Sequence, residues 1–214
     1  MPEAPAWHAL LRTALVLIDE VSVVAGRPIE WSFGGGTVLM IRLNHRRSKD
    51  IDIFISDPQL LGLFTPRLSD AAMRLTQDYD ESSAHVKLFL EAGEIDVVVA
   101  APLTSSPYEP MKILGRTIAC ERPAEIIAKK MWHRGDRATA RDLFDLVAVH
   151  ELEPNSLDAA GPFLDRHAEE FLHVIRQRER ILRAEFEALD TLAFTMSFSQ
   201  CARIAARILA PYLR

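Results

Sequence analysis

Cysteine is scarce in this chain of 214 residues, occurring only at Cys120 and Cys201, far apart and without CxxC spacing. That argues against a disulfide framework and leaves two buried, reduced thiols. Zinc spacing is missing too, since His150-Glu151 is followed by no second histidine four residues on. No run of about 18 uncharged apolar residues is present, so no membrane-spanning helix is expected. The first stretch, "MPEAPAWHALLRTALVLIDEV", has no basic region ahead of its apolar part and carries Arg12 and Glu20 inside a helical pattern. It reads as an amphipathic helix rather than a signal peptide, and the expected location is cytoplasmic. An excess of positive charge is lacking as well. Lys and Arg number 25 against 30 Asp and Glu, a net charge of −5. Bulk-charge coating of nucleic acid is thereby excluded, while a local basic groove stays open.

What is present fits a folded, core-bearing protein: 49% hydrophobic and 26% charged residues, with no internal repeat or low-complexity segment. Apolar spacing predicts a helix over Trp7–Val24. "IEWSF" (Ile29–Phe33) is a β-prone run stopped by glycines. Thr37–Leu43 is ambiguous and is read as a helix, "DIDIFI" (Asp50–Ile55) as a strand, and Pro66–Thr76 as a helix. "HVKLFLEA" and "EIDVVVA" form a hairpin about Gly93. Leu103–Pro110 reads as a loop and "GRTIAC" as an edge strand. After Pro123 the pattern is helical, over Pro123–Arg134, Thr139–Glu151, Phe163–Leu189 and Ser199–Leu213. The fold class is therefore α/β (α+β): residues 1–122 an α/β core with a small mixed sheet, and residues 123–214 a helical region packed on it.

Strand alternation puts Asp50 and Asp52 on one face, about 7 Å apart along the chain, with Ile51 and Ile53 on the other. Two adjacent carboxylates repel unless water screens them or a cation lies between them. A solvated strand end is the plain reading of a bare DxD. Against it stand the apolar neighbours and a third carboxylate in a like setting, Asp96 between Ile95 and Val97. Three acidic oxygens converging from adjacent strands would suit Mg²⁺.

Gly35-Gly36-Thr37, twelve further residues, then Asp50-Ile51-Asp52 resembles the signature of the nucleotidyltransferase superfamily related to DNA polymerase β. "HRRSKDIDIF" and "AKKMWHRGDRATARDLFDL" (Ala128–Leu146) look more closely like the AbiEii-type nucleotidyltransferases, toxins of type IV toxin–antitoxin and abortive-infection systems. The resemblance covers about Glu30 to Leu146. It implies a polymerase β-like core and transfer of a nucleoside monophosphate from an NTP, in some members to tRNA 3′ ends. It implies a cognate antitoxin as a partner too.

Glycines without a Cβ let backbone N–H groups approach phosphate, so Gly34, Gly35 and Gly36 are expected to cradle a triphosphate, with the Thr37 hydroxyl as a further donor. A helix starting at Thr37 would add its N-terminal partial charge. His45, Arg46, Arg47 and Lys49 form a basic loop open to nucleotide or RNA contact, or to plain solvation. On the helix from Pro123, Lys130 falls between Ile126 and Ile127, with Arg134 one turn on and Lys129 pointing away. Lys130 reads either as a phosphate ligand supported by Arg134 or as a snorkelling side chain. The resemblance aligns Lys130 with the family's helical lysine and Asp142 with its functional acid. Asp145 reads otherwise as the i,i+4 partner of Arg141.

The expected activity is Mg²⁺-dependent nucleotidyl transfer. Asp50, Asp52 and Asp96 would be the metal ligands, with Lys130 and Asp142 beside them as catalytic residues. Gly35, Gly36, Thr37, Lys130 and Arg134 would bind the nucleotide. The alternatives are the same reaction on a small molecule or protein, or a non-catalytic binding protein of the same fold.

Overall fold

The computed structural model describes residues 5–213. The chain forms two compact units. The first comprises Met1–Val38, Ser48–Pro102 and Tyr108–Glu121; the second comprises Leu39–Arg47, Leu103–Pro107 and Arg122–Arg214.

The first unit opens with α1 (Ala6–Val24), whose buried stripe of Leu10, Leu11, Ala14, Leu15, Ile18 and Val21 follows the helical period. It packs against two strands of a mixed sheet, β2 (Ile51–Ile55) and β5 (Gly93–Val99). The others are β1 (Trp31–Gly34), β3 (Tyr79–Glu81), β4 (His85–Leu90), β6 (Tyr108–Ile113) and β7 (Arg116–Glu121). Their spatial order is β3-β4-β5-β2-β1-β7-β6. The pairs β2–β5 and β1–β7 are parallel and the rest antiparallel. Chain reversal at Gly35, with φ +68°, ends β1 and starts α2 (Gly35–Leu43), as expected for the ambiguous Thr37–Leu43 run.

Three sequence expectations need correction in this unit. Tyr108–Pro110 is strand rather than loop, because β6 is an outer strand where Pro110 needs no ladder N–H on its free side. That makes β7 an inner strand, paired on both sides, not an edge. The helix expected over Pro66–Thr76 shrinks to α3 (Asp70–Leu75), which Ser69 caps through the Ala72 N–H.

In the second unit, α4 (Pro123–Arg134) starts on a proline suited to its first turn. The centre is α5 (Ala140–Leu152), which buries Leu143, Phe144, Leu146, Val147 and Val149. The Phe144 ring meets those of Phe186 and Phe194 at 5.5 and 5.4 Å. A single helix over Phe163–Leu189 does not form. The chain makes α6 (Ser156–Ala160), two short 3₁₀ turns, α7 (Ala168–Gln177) and α8 (Glu179–Glu187), then α9 (Phe198–Leu209). Arg178, at φ −105° and ψ 21°, interrupts the helical ladder between α7 and α8. The apolar stripe Phe171, Leu172, Ile175, Leu182 and Phe186 runs across the break, which is why its spacing reads as continuous. No helix of the described residues is long and apolar enough to cross a membrane.

Candidate active site

The parallel pairing of β2 with β5 sets Asp52 directly opposite Asp96, and the antiparallel pairing of β1 with β2 sets Gly34 opposite Asp52. Ile51, Ile53, Ile95 and Val97 fill the other face with no exposure above 0%. Lys87 on β4 lies opposite Asp96, and Glu121 on β7 reaches Gly34 from the other side. A line of polar positions therefore crosses five strands: Lys87, Asp96, Asp52, Gly34, Glu121.

Glycine is required in the middle of that line. A Cβ on Gly35 would stand 1.9 Å from Asp52 Oδ2, and one on Gly34 would stand 2.3 Å from Glu121 Oε2 and 2.7 Å from the Phe54 ring. Both positions admit only a bare backbone against a carboxylate. Gly35 and Gly36, half-exposed, form the first turn of α2, whose N–H groups have no partners within the helix.

The carboxylates differ in setting. Asp96 Oδ1 is buried and accepts no hydrogen bond, while Oδ2 is 3.6 Å from Lys87 Nζ. Burial raises the Asp96 pKa above the ordinary carboxylate value, against the lowering effect of Lys87 and His85. For Lys87, burial alone would lower the pKa, but Glu94, Asp96 and Asp52 outweigh it and raise it. Asp50 lies just before β2, and its Oδ1 accepts the Glu94 N–H at 3.2 Å. Among the described residues no three His, Cys, Asp or Glu side chains are already gathered as a metal cage. The donor set nonetheless fits a hard divalent cation: two carboxylates in register, one with a buried oxygen that no protein donor satisfies.

Thr37 departs from expectation. It is 0% exposed, and its hydroxyl donates to the Asp50 carbonyl at 2.6 Å and lies 3.0 Å from Ser48 Oγ. Its side chain braces the start of α2 against the start of β2 rather than facing a ligand. Glu121 was not singled out by sequence reasoning. It is 1% exposed and accepts the Ser32 hydroxyl at 3.1 Å. The signal was available as an acid closing the apolar run "TIAC".

In the second unit, Asp145 is fully buried and takes Arg46 in a two-pronged pair, Nε and Nη2 both at 2.7 Å. His45 Nε2 lies 2.9 Å from the same carboxylate, and Lys130 donates to it as well. Lys130 Nζ also reaches Asp142 Oδ1 at 2.9 Å, where Arg134 joins it. Asp142 is held by a capping box: its Oδ2 accepts the Thr139 hydroxyl at 2.8 Å and the Thr139 N–H at 3.1 Å. Burial would raise both carboxyl pKa values, but Lys130 with Arg134 at Asp142, and Arg46 with Lys130 at Asp145, bring both well below the usual range.

This cluster changes several expectations. Lys130 does not snorkel to solvent; it bridges two carboxylates. Asp145, read from the sequence as the i,i+4 partner of Arg141, is fully buried against Arg46, His45 and Lys130. His45 and Arg46 do not belong to an open basic loop, since they are 0% and 4% exposed; Arg47 and Lys49 are the exposed members, Arg47 pairing with Asp190. Lys129 does not point away. It is buried 3.6 Å from Glu125, which also accepts the N–H groups of Leu103 and Thr104.

The sequence model of the nucleotidyl transferase AbiEii toxin family, type IV toxin–antitoxin system, matches residues 22–207. The chain belongs to this family. It is thereby a nucleotidyltransferase, and the AbiEii match extends well beyond the Glu30–Leu146 stretch that carries the resemblance in the sequence. No curated relative matches the chain. Among solved structures, a candidate nucleotidyltransferase from H. pylori is 16% identical, with 99% of this chain and 96% of that one covered and a TM-score of 0.55. JHP933 from Helicobacter pylori is also 16% identical, with 94% and 89% covered and a TM-score of 0.52. ANT(2″)-Ia, solved with adenylyl-2″-tobramycin, is 15% identical, with 75% and 98% covered and a TM-score of 0.51. At these identities the likeness establishes the shared polymerase β-like fold of this AbiEii-family chain.

Proposed function

We propose that this AbiEii-family chain transfers a nucleoside monophosphate from an NTP to the 3′-terminal hydroxyl of an RNA, tRNA in the first instance, as the toxin of a pair with a cognate antitoxin. The observation that carries the reading is the in-register pair Asp52–Asp96 beside a glycine turn, with an unsatisfied carboxylate oxygen. Asp52 and Asp96, joined by Asp50, would hold Mg²⁺. Bound there, the metal supplies activation of the acceptor hydroxyl and charge neutralisation at the leaving pyrophosphate.

The chain's own groups do the rest. The backbone N–H groups at Gly35 and Gly36 receive phosphate oxygens, helped by the partial positive charge of the α2 N-terminus. Within the second unit, Asp142 orients the cations Lys130 and Arg134 through its hydrogen bonds. The RNA assignment draws on the family and on exposed Arg176, Arg178 and Arg180 in a net-acidic chain.

Purified protein, each of the four α-labelled NTPs, Mg²⁺ and total cellular RNA make the test, with a protein-only control. Label should enter small RNA with one or more nucleotides, and Asp52→Asn should lose it without losing the fold. Normal labelling by Asp52→Asn would overturn the metal-site assignment. Label in the protein-only control would move the acceptor from RNA to protein.

A further inference from the structure

Lys87 has no part in the reading above, yet its ammonium lies beside the carboxylate expected to meet the metal. It stands 3.0 Å from Glu94 Oε2 and 3.6 Å from Asp96 Oδ2. Its place is set by the ladder, for Lys87 pairs directly with Asp96, and Glu94 lies two residues along the same face of β5. The side chain is only 31% exposed, and Val86 and Leu88 lock the neighbouring positions of β4 into the core.

We propose that Lys87 is a positioning residue that holds Asp96 as a counterion in the metal-free enzyme, so that divalent metal binds there weakly until nucleotide arrives. The inference rests on the metal-site reading of Asp52 and Asp96. Its physical basis is simple. A fixed positive charge within one side-chain length of a metal ligand repels a divalent cation at that ligand, and the repulsion is strong because the site is partly desolvated. A triphosphate brings enough negative charge to reverse the balance, so metal enters with the nucleotide. Glu94 gives the ammonium a second carboxylate to rest on when Asp96 turns to the metal.

The test is titration of the full chain with Mn²⁺, followed by electron paramagnetic resonance of the free ion, with and without NTP. Wild type, Lys87→Met, Lys87→Arg and Asp52→Asn are compared, and thermal melts verify that each is folded. Without nucleotide, Lys87→Met should bind Mn²⁺ roughly tenfold more tightly than wild type, and Lys87→Arg should behave as wild type. The nucleotide-induced gain in Mn²⁺ affinity should shrink in Lys87→Met. Unchanged or weaker metal binding by a folded Lys87→Met would overturn the proposal and leave Lys87 as a strand-pairing ion pair. If instead Asp52→Asn matches wild type in every arm, the metal-site reading itself fails, and this inference with it.

Discussion

At the residue scale, Asp96 is held in a setting that suits a ligand more than a scaffold. Its Oδ1 is buried without a donor, and burial raises its pKa. A carboxyl whose folded pKa lies above its unfolded value disfavours the ionised fold, so at neutral pH the charge on Asp96 works against stability, and the penalty fades as pH falls. Asp96→Asn should therefore raise the melting temperature of the metal-free protein while abolishing transfer. Scanning fluorimetry with EDTA, beside the labelling assay, reads both; a lower melting temperature would show that the Lys87 pair outweighs the orphaned oxygen. The Asp-x-Asp spacing was legible because strand periodicity alone assigns its faces. The inward turn of Thr37 was not, because a hydroxyl beside glycines looks the same whether its acceptor is a phosphate or the Asp50 carbonyl.

At the element scale, α5 is tied to α4 and to the Asn44–Arg47 loop by Asp145 and Asp142. The arrangement was hidden in the sequence for a plain reason: Arg46 and Asp145 are 99 residues apart, and no local period links them. Helical geometry correctly marked Lys130 as a cation on an apolar face, but the identity of its partners is a property of packing. Both carboxyl pKa values are lowered in the fold, so their stabilisation is complete above the unfolded value near 4 and is lost as pH falls through the lowered folded values. Melting temperature should be nearly level from pH 7 to about pH 5 and fall steeply below about pH 4. Asp145→Asn takes the paired carboxylate away from buried Arg46 and leaves Lys130 with Asp142, and should cost about 3–5 kcal/mol in urea unfolding at pH 7. Its acid limb should be shallower than that of wild type. Equal acid limbs in the two proteins would remove Asp145 as the source of the pH dependence.

At the scale of the whole molecule, neither compact unit is one continuous piece of chain. The polypeptide passes from one to the other five times. The helical unit includes Arg46, which pairs with Asp145, His45, which lies within hydrogen-bond distance of it, and Leu103 and Thr104, which satisfy Glu125. A fragment of residues 123–214 carries the buried acids without these partners. It should show weak, non-cooperative helical circular dichroism and broad amide resonances, whereas the full chain should melt cooperatively. A cooperative melt from the fragment alone would show that the helices are self-sufficient.

The line through Lys87, Asp96, Asp52, Gly34 and Glu121 takes one residue from each of five strands. Its integrity is thus a matter of counting as much as of chemistry. One residue gained or lost inside any of these strands turns that strand's member to the opposite face, among the buried isoleucines and valines. Descendants of this chain can vary the length of their loops, but the lengths of these strands are bound to one another through the site they share.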